Sequence, residues 1–486
     1  MNIGDSIRHG TKWLLAGSVG SRALNFGFGI VLARILVPAD FGMLVTIGIF
    51  TGIVGFFAAG GMGRALVQAK EVKPADYDVV FTTQLTICVL IYLGFFAVAP
   101  WFSAWFNDPL YQPLLRLSAL SFLIRPFLMA PQAYLMREMR FKQLSVFRIV
   151  SMTVSSCSSI AMALLGWGPF SLVFGGIAGS FTTLVLLRFV VQWRPRVHWD
   201  GATAKRLGSY GVMFSANEII RYAKAQTANL LISRTLGASL VGLYNKAESL
   251  SGMPRAIILG SVEQAVFRGM ASVQDDKDLS KYMFLRTITL VAVYTMPVYV
   301  GLWWLADPFI IAVYGQKWSL AAEPLRIFSI TGMLLVAGTA GQLVEAQRRL
   351  GRELLLNVET GVVLVVSCFI GLKWGIVGVA WGMVVTRLYN NVRMYQLAKS
   401  IVDATYRDLV LALRSAYALN SILFGVLYGA DRLGLGPYRQ SHPGLYVLGM
   451  AAIGAGTYAV LFLTSQFPEL RGEVSRWKKV IRAAAG

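Results

Sequence analysis

The sequence predicts an all-α polytopic membrane protein of about fourteen transmembrane helices. They form two six-helix bundles related by a pseudo-twofold along the membrane normal, plus two C-terminal helices. Three observations predict this class. Of the 486 residues, 56% are hydrophobic and only 14% charged, with a mean hydropathy of +0.59; a soluble chain carries about a quarter charged residues. Apolar runs of crossing length succeed one another at similar spacing. Segments from the first half of the chain also return in the second.

About 20 residues of helix cross the hydrocarbon core, and the charges between runs punctuate them. After Arg8 and Lys12 come spans 12–36 and 41–61, then a basic segment with Arg64, Lys70 and Lys73. Spans 80–102 and 112–135 are joined by a segment without a basic residue and followed by Arg137, Arg140 and Lys142. Spans 145–166 and 169–191 lead to Arg194, Arg196, Lys205 and Arg206; spans 208–234 and 240–267 lead to Lys277 and Lys281. Spans 282–306 and 320–345 precede Arg348, Arg349 and Arg352, and spans 351–372 and 374–399 precede Arg407. Spans 408–430 and 443–465 complete the set, before Arg471, Arg476, Lys478, Lys479 and Arg482. Basic segments thus alternate with segments that hold few basic residues. By the positive-inside bias both termini lie in the cytoplasm. The stretch 472–485 is basic and suits an amphipathic helix on anionic lipid, or a frayed tail.

RILVPADFGML from Arg34 returns as RTLGASLVGLY from Arg234, with Gly42/Gly242, Gly52/Gly252 and Gly60/Gly260 at the same offset. Trp167, Gly168 and Gly175 are echoed by Trp374, Gly375 and Gly382. The expected organisation is residues 1–200 and 201–400 as the two bundles, with 401–486 as two extra helices and a basic tail. An even number of helices per copy gives both copies one orientation, which suits alternating access.

The span 208–234 is unusual because it carries Asn217, Glu218, Arg221, Lys224, Gln226 and Asn229. An ionised group facing lipid at the bilayer centre costs about 2.5–3.5 kcal/mol, so these side chains face protein or water. At 100° per residue, Asn217, Arg221 and Lys224 share a face. Span 12–36 puts Arg22 near mid-depth, with Asn25 on its face and Arg34 at its outer end; span 240–267 presents Tyr244, Glu248, Ser251 and Arg255, with Lys246 alongside. Arg22, Arg221, Lys224, Lys246 and Arg255 outnumber Glu218 and Glu248. Ion pairs such as Glu218–Arg221 or Lys246–Glu248 are the structural alternative for any one residue. The surplus as a group calls for anions from elsewhere, and a phosphorylated substrate supplies them. Glu359 and Arg387 are a further expected pair, and Arg125 before Pro126 is expected to be satisfied by a carbonyl at a kink.

Other chemistries find little support. A formal net charge of +21 raises nucleic acid as a partner in a soluble chain, but here the charges are topogenic, so no nucleic-acid partner is expected. Cys88, Cys157 and Cys368 lie in apolar spans, and His9, His198 and His442 are scattered, so no metal and no cofactor is expected. Asp275-Asp276-Lys277-Asp278 reads as a solvated charge run rather than a glycosyltransferase metal site. The chain is expected to be a transporter and not an enzyme.

The chain resembles the polysaccharide transporter family, whose members include the Wzx-type O-antigen and exopolysaccharide flippases of the multidrug/oligosaccharidyl-lipid/polysaccharide flippase superfamily. The matching motifs are LARILVPADFG at 32–42, GRALVQ at 63–68, REMRF at 137–141, LGASLVGLYNKAESL at 236–250, YGQKWSLAAEPLR at 314–326 and GIVGVAWG at 375–382. They cover roughly residues 13–399; the last two helices match least. The resemblance implies a bacterial inner-membrane flippase for undecaprenyl-pyrophosphate-linked oligosaccharide, working among membrane lipids with a polymerase and a chain-length regulator as partners. For such a substrate, Arg22, Arg221, Lys224, Lys246 and Arg255 are expected to hold the pyrophosphate while Tyr244, Asn25, Asn217 and Asn229 contact sugar hydroxyls. Arg34 is a candidate gate or, equally, a turn cap, and Glu218 and Glu248 are candidates for coupling to H⁺ or Na⁺. The competing readings are a multidrug/cation antiporter, whose cavity is expected to be acidic and aromatic, and a membrane polymerase or glycosyltransferase, which needs a larger extramembrane loop.

Overall fold

The computed structural model describes residues 3–59, 61–69, 71–272, 276–334, 340–341, 343–344 and 350–485. Among them the chain forms helices and connecting turns and no strand. Among the described residues nine helical segments are long and apolar enough to cross a membrane. The chain divides into two compact units, Met1–Gly242 and Leu243–Gly486.

The first unit holds α1 (Ile3–Ile35), α2 (Pro38–Ala59), α3 (Met62–Gln68), α4 (Pro74–Phe106), α5 (Tyr111–Arg137), α6 (Phe141–Leu164), α7 (Phe170–Val190) and α8 (Gly201–Leu236). Neighbouring helices pair as α4 with α5 and α6 with α7, α1 packs along α6, and α8 packs on α2, α3 and α4. Lipid gives helices no hydrophobic reason to associate, so small residues that admit close approach carry much of the contact. On α7, Gly175 and Gly179 do this: a Cβ on Gly175 would stand 2.5 Å from the Ser155 carbonyl oxygen, and one on Gly179 3.0 Å from that of Ser151. Arg125 donates to the Gly55 carbonyl at 2.9 Å, as expected beside Pro126. Asp200 caps α8, accepting from the N–H groups of Ala202 and Thr203 at 3.3 and 3.0 Å. These bonds hold its carboxyl below the usual range, led by the one to Thr203.

α9 (Ala238–Ser272) begins in the first unit and continues into the second. The second unit then comprises α10 (Lys277–Tyr314), α11 (Ala322–Met333), α12 (Leu350–Gly371), α13 (Gly375–Val402), α14 (Tyr406–Ala430), α15 (Pro443–Thr464) and α16 (Arg471–Ala485). α10 is its central column, packing on α11, α14 and α15, while α12 lies against α13. Thr405 and Asp408 form a reciprocal capping box at the start of α14.

The helices overrun the expected spans. α8, α9 and α10 are 36, 35 and 38 residues long, because a helix continues into water after its apolar stretch ends, and hydropathy marks only the part in lipid. α3 is a short helix where a loop was expected. The span expected at 320–345 is seen as α11 and a few later residues; the rest of it lies outside the described residues.

Candidate functional site

In the first unit the expected site residues fall on two helices with different neighbours, since α1 packs along α6 and α8 on α2, α3 and α4. Arg22, Asn25 and Arg34 are exposed on α1. On α8, Arg221 donates to Glu218 at 2.5 Å, the i, i+3 pair anticipated as an alternative. Lys224 is half-buried, and the side chain of Asn217 lies outside the described residues. Asn229 is 2% exposed; its amide donates to Gln226 at 2.8 Å, and its carbonyl oxygen has no partner among the described residues.

In the second unit the predicted face of α9 turns toward α10, α11 and α13. Tyr244 is fully buried, its ring edge-on to Phe328 at 5.3 Å. The Tyr244 hydroxyl has no hydrogen-bond partner among the described residues. One turn on, Glu248 accepts from Arg387 of α13 at 3.1 Å. Lys246 points elsewhere, since residues two apart on a helix face in different directions. Its ammonium sits 4.9 Å from the Tyr314 ring centroid and 5.1 Å from that of Trp318, the two aromatics of the YGQKW motif.

Beyond Glu248 the same face opens into a cavity of about 260 Å³. Its walls are Ser251, Gly252 and Arg255 of α9, Tyr299 of α10, Phe328, Thr331 and Gly332 of α11, and Arg387, Asn390 and Asn391 of α13. Arg387 also donates to Thr331 at 3.2 Å and lies 5.3 Å from the Phe328 ring centroid. The Asn390 side-chain oxygen accepts from Thr360 at 3.3 Å, and Asn391 donates to the Leu334 carbonyl at 3.1 Å. Arg255 makes no ion pair among the described residues. Two guanidinium groups and two carboxamides in one hollow suit an oxyanion with neighbouring hydroxyls.

The expected Glu359–Arg387 pair is not formed. Glu359 binds Arg393 instead, at 2.9 Å, because Arg387 and Arg393 lie on different sides of α13 and only Arg393 faces α12. The sequence reading therefore missed Arg387, Asn390 and Asn391 as cavity residues. Their spacing was the available signal: positions i, i+3 and i+4 share one helix face, and this one interrupts an apolar span.

A family model described as polysaccharide biosynthesis protein matches residues 31–323. The chain belongs to this family, that of the polysaccharide flippases. Among curated relatives it is 22% identical over 418 residues to the lipopolysaccharide biosynthesis protein WzxC of Escherichia coli (strain K12), covering 85% of each chain. It is 25% identical to the succinoglycan biosynthesis transport protein ExoT of Rhizobium meliloti (strain 1021), over 68% of this chain and 67% of that one. With the teichuronic acid biosynthesis protein TuaB of Bacillus subtilis (strain 168) it shares 23% identity over 86% of each. Among solved structures, the lipid II flippase MurJ in its inward closed conformation superimposes with a TM-score of 0.72 at 15% identity, covering 92% of this chain and 97% of that one. An inward-facing multidrug resistance MATE family transporter gives 0.63 at 13%, covering 78% and 95%. This member of the flippase family therefore has the all-helical membrane fold shared by those two proteins.

Proposed function

We propose that this chain turns undecaprenyl-pyrophosphate-linked oligosaccharide repeat units across the bacterial inner membrane by alternating access, serving O-antigen, capsule or exopolysaccharide synthesis, with both termini in the cytoplasm. The observation that carries the reading is the cavity between α9, α10, α11 and α13. Arg255 and Arg387 line it, and Glu248, the carboxylate ion-paired beside it, balances only one of them. A hollow with surplus positive charge inside a membrane bundle is costly unless an anion completes it. The relatives named above, all in polysaccharide synthesis or transport, and the fold shared with a lipid II flippase support the same substrate class.

In this reading Arg255, joined by Arg387, holds the diphosphate in that cavity, and Arg22, Arg221 and Lys224 meet it at other points of its passage. Asn25, Asn217, Asn390 and Asn391 meet sugar hydroxyls, and Tyr244 backs Phe328. Glu248, already bound to Arg387, couples the cycle to H⁺ or Na⁺ by changing its charge. The protein breaks no bond of its cargo.

Complementation of polymer export in a strain lacking the flippase tests this. Arg22→Ala, Arg221→Ala and Arg255→Ala are each expected to lower export at least tenfold at normal protein level. Undiminished export in all three overturns the site. The MATE fold likeness keeps a multidrug antiporter in view; dye efflux by the purified protein, with no transfer of lipid-linked sugar between leaflets, would establish that reading instead.

A further inference from the structure

Between α7 and α8 the chain forms no helix from 191 to 200 and runs as a strap along α4. Pro195 lacks the N–H that would continue α7. Trp193 donates its indole N–H to Asp78 at 3.0 Å, and the backbone N–H of Arg196 donates to the same carboxylate at 3.4 Å. The His198 N–H donates to the Thr82 hydroxyl at 2.9 Å. The Trp193 ring meets Phe81 edge-on at 5.9 Å, and Phe81 meets Phe127 of α5 at 5.1 Å. Hydrogen bonds and ring contacts thus fix Trp193 beside both α4 and α5.

Trp193 and Pro195 stand at one end of a groove of about 390 Å³ between α5 and α7. Phe127 and Pro131 form one wall, Leu184 and Val185 the other, and Arg188 brings a charge to the rim. Phe181 is 59% exposed and Phe189 83%, so this side of α7 looks outward to lipid and not into the unit. Arg188 lies in the last turn of α7, and Arg194 bends back to donate to the Val191 carbonyl at 3.5 Å. Both are exposed, as is Arg196 on the strap. The nearby carboxylates are already engaged: Asp76 by Arg206 at 3.2 Å, Asp78 by the strap, and Asp200 as the cap of α8. The end of α7 itself offers only about half a negative charge. None of the three arginines forms an ion pair among the described residues, so their charge is left for an anion from outside.

Apolar walls that open to lipid and end at three cations match a molecule with a hydrocarbon chain and a negative phosphate headgroup. We propose that this groove and strap bind an anionic phospholipid of the leaflet at which α7 ends. The acyl chain lies between α5 and α7, and the headgroup phosphate meets Arg188. The apolar walls cannot tell an anionic from a zwitterionic lipid, so Arg194 and Arg196 supply that choice. The site lies within the first unit and does not depend on what the cavity around Arg255 carries.

Full-length protein in bilayer discs of phosphatidylglycerol and phosphatidylcholine, each lipid in turn carrying a photoreactive acyl chain, provides the test. Labelled peptides are mapped by mass analysis. Label from phosphatidylglycerol is expected on the peptides holding 127–131 and 181–195, about tenfold above that from phosphatidylcholine at low salt. The preference should shrink at high salt as screening sets in. Arg188→Gln, Arg194→Gln and Arg196→Gln together should bring the two lipids to equal labelling there. Val185→Trp, which fills the groove from α7, should lower labelling by both. The place of the label and the salt series need no variant and remain decisive if a variant fails to fold. Equal labelling by the two lipids in the wild type, a preference indifferent to both salt and the arginines, or displacement of the label by a polyprenyl phosphate each overturns the proposal.

Discussion

Gly42 and Gly242 lie against each other, each filling the space the other leaves. A Cβ on Gly42 would stand 1.7 Å from the Ala238 carbonyl oxygen and 3.1 Å from the Gly242 nitrogen. A Cβ on Gly242 would stand 2.1 Å from the Pro38 carbonyl oxygen and 3.1 Å from the Gly42 nitrogen. These are the two glycines that the internal repeat places in register. The contact is reciprocal, each glycine leaving room for the backbone of the other.

Neither position tolerates even a methyl group, since the obstacle is backbone. Gly42→Ala and Gly242→Ala should each cost about 1–3 kcal/mol or more through overpacking. The readout is a lower midpoint of thermal unfolding in detergent. Gly48→Ala, with open space around its α-carbon, serves as the control and should leave the midpoint unchanged or slightly raised.

The Glu248–Arg387 pair should show as coupling in a double-mutant cycle. Its side chains are 24% and 37% exposed, so the penalty for breaking it falls below that of a dry pair. Glu248→Gln and Arg387→Gln together should destabilise less than the sum of the two, with a coupling on the order of 1 kcal/mol. Strict additivity would show that the two groups do not sense each other.

A buried hydroxyl cluster joins three helices of the first unit. The Tyr111 hydroxyl donates to Thr46 at 3.3 Å, and Thr46 and Ser233 share a bond of 2.5 Å. Ser233→Ala removes one partner from a site with no solvent access and should cost roughly 1–2 kcal/mol. Ser233→Thr, which keeps the hydroxyl, tests whether the bond or the volume matters: recovery of the unfolding midpoint supports the bond.

Stability should fall in acid through Glu469. Its hydrogen bonds to Arg414 hold the carboxyl below the usual glutamate range. A lowered native value means the bond contributes fully above the unfolded pKa of about 4.3 and is lost as pH drops below it. Wild type should therefore lose thermal stability between about pH 5 and 3 more steeply than Arg414→Gln. Parallel pH profiles for the two proteins would show that the clasp adds nothing.

The class of the molecule was legible from the chain because the bilayer is a severe solvent. Apolar runs of crossing length, with basic residues gathered in every second connection, admit few alternatives. The polar face of α9 was legible for a similar reason: Tyr244, Glu248, Ser251 and Arg255 repeat at helical spacing inside an apolar stretch, and all four face protein. Partners were not legible. Glu248 had Lys246 close in sequence, yet its partner is Arg387, on a helix more than a hundred residues away.

By itself the sequence determined that this chain spans a membrane as helices, that it repeats itself, and that it carries positive charge within its apolar spans. Those properties follow from composition and period, which each residue expresses locally. Only the tertiary structure decided which arginine meets which glutamate, that Tyr244 is walled in behind Phe328, and that Asn390 and Asn391 line a cavity with Arg255. Such pairings depend on the rotation of each helix about its axis and on the helix it packs against, and those are settled by contacts between residues far apart in the chain.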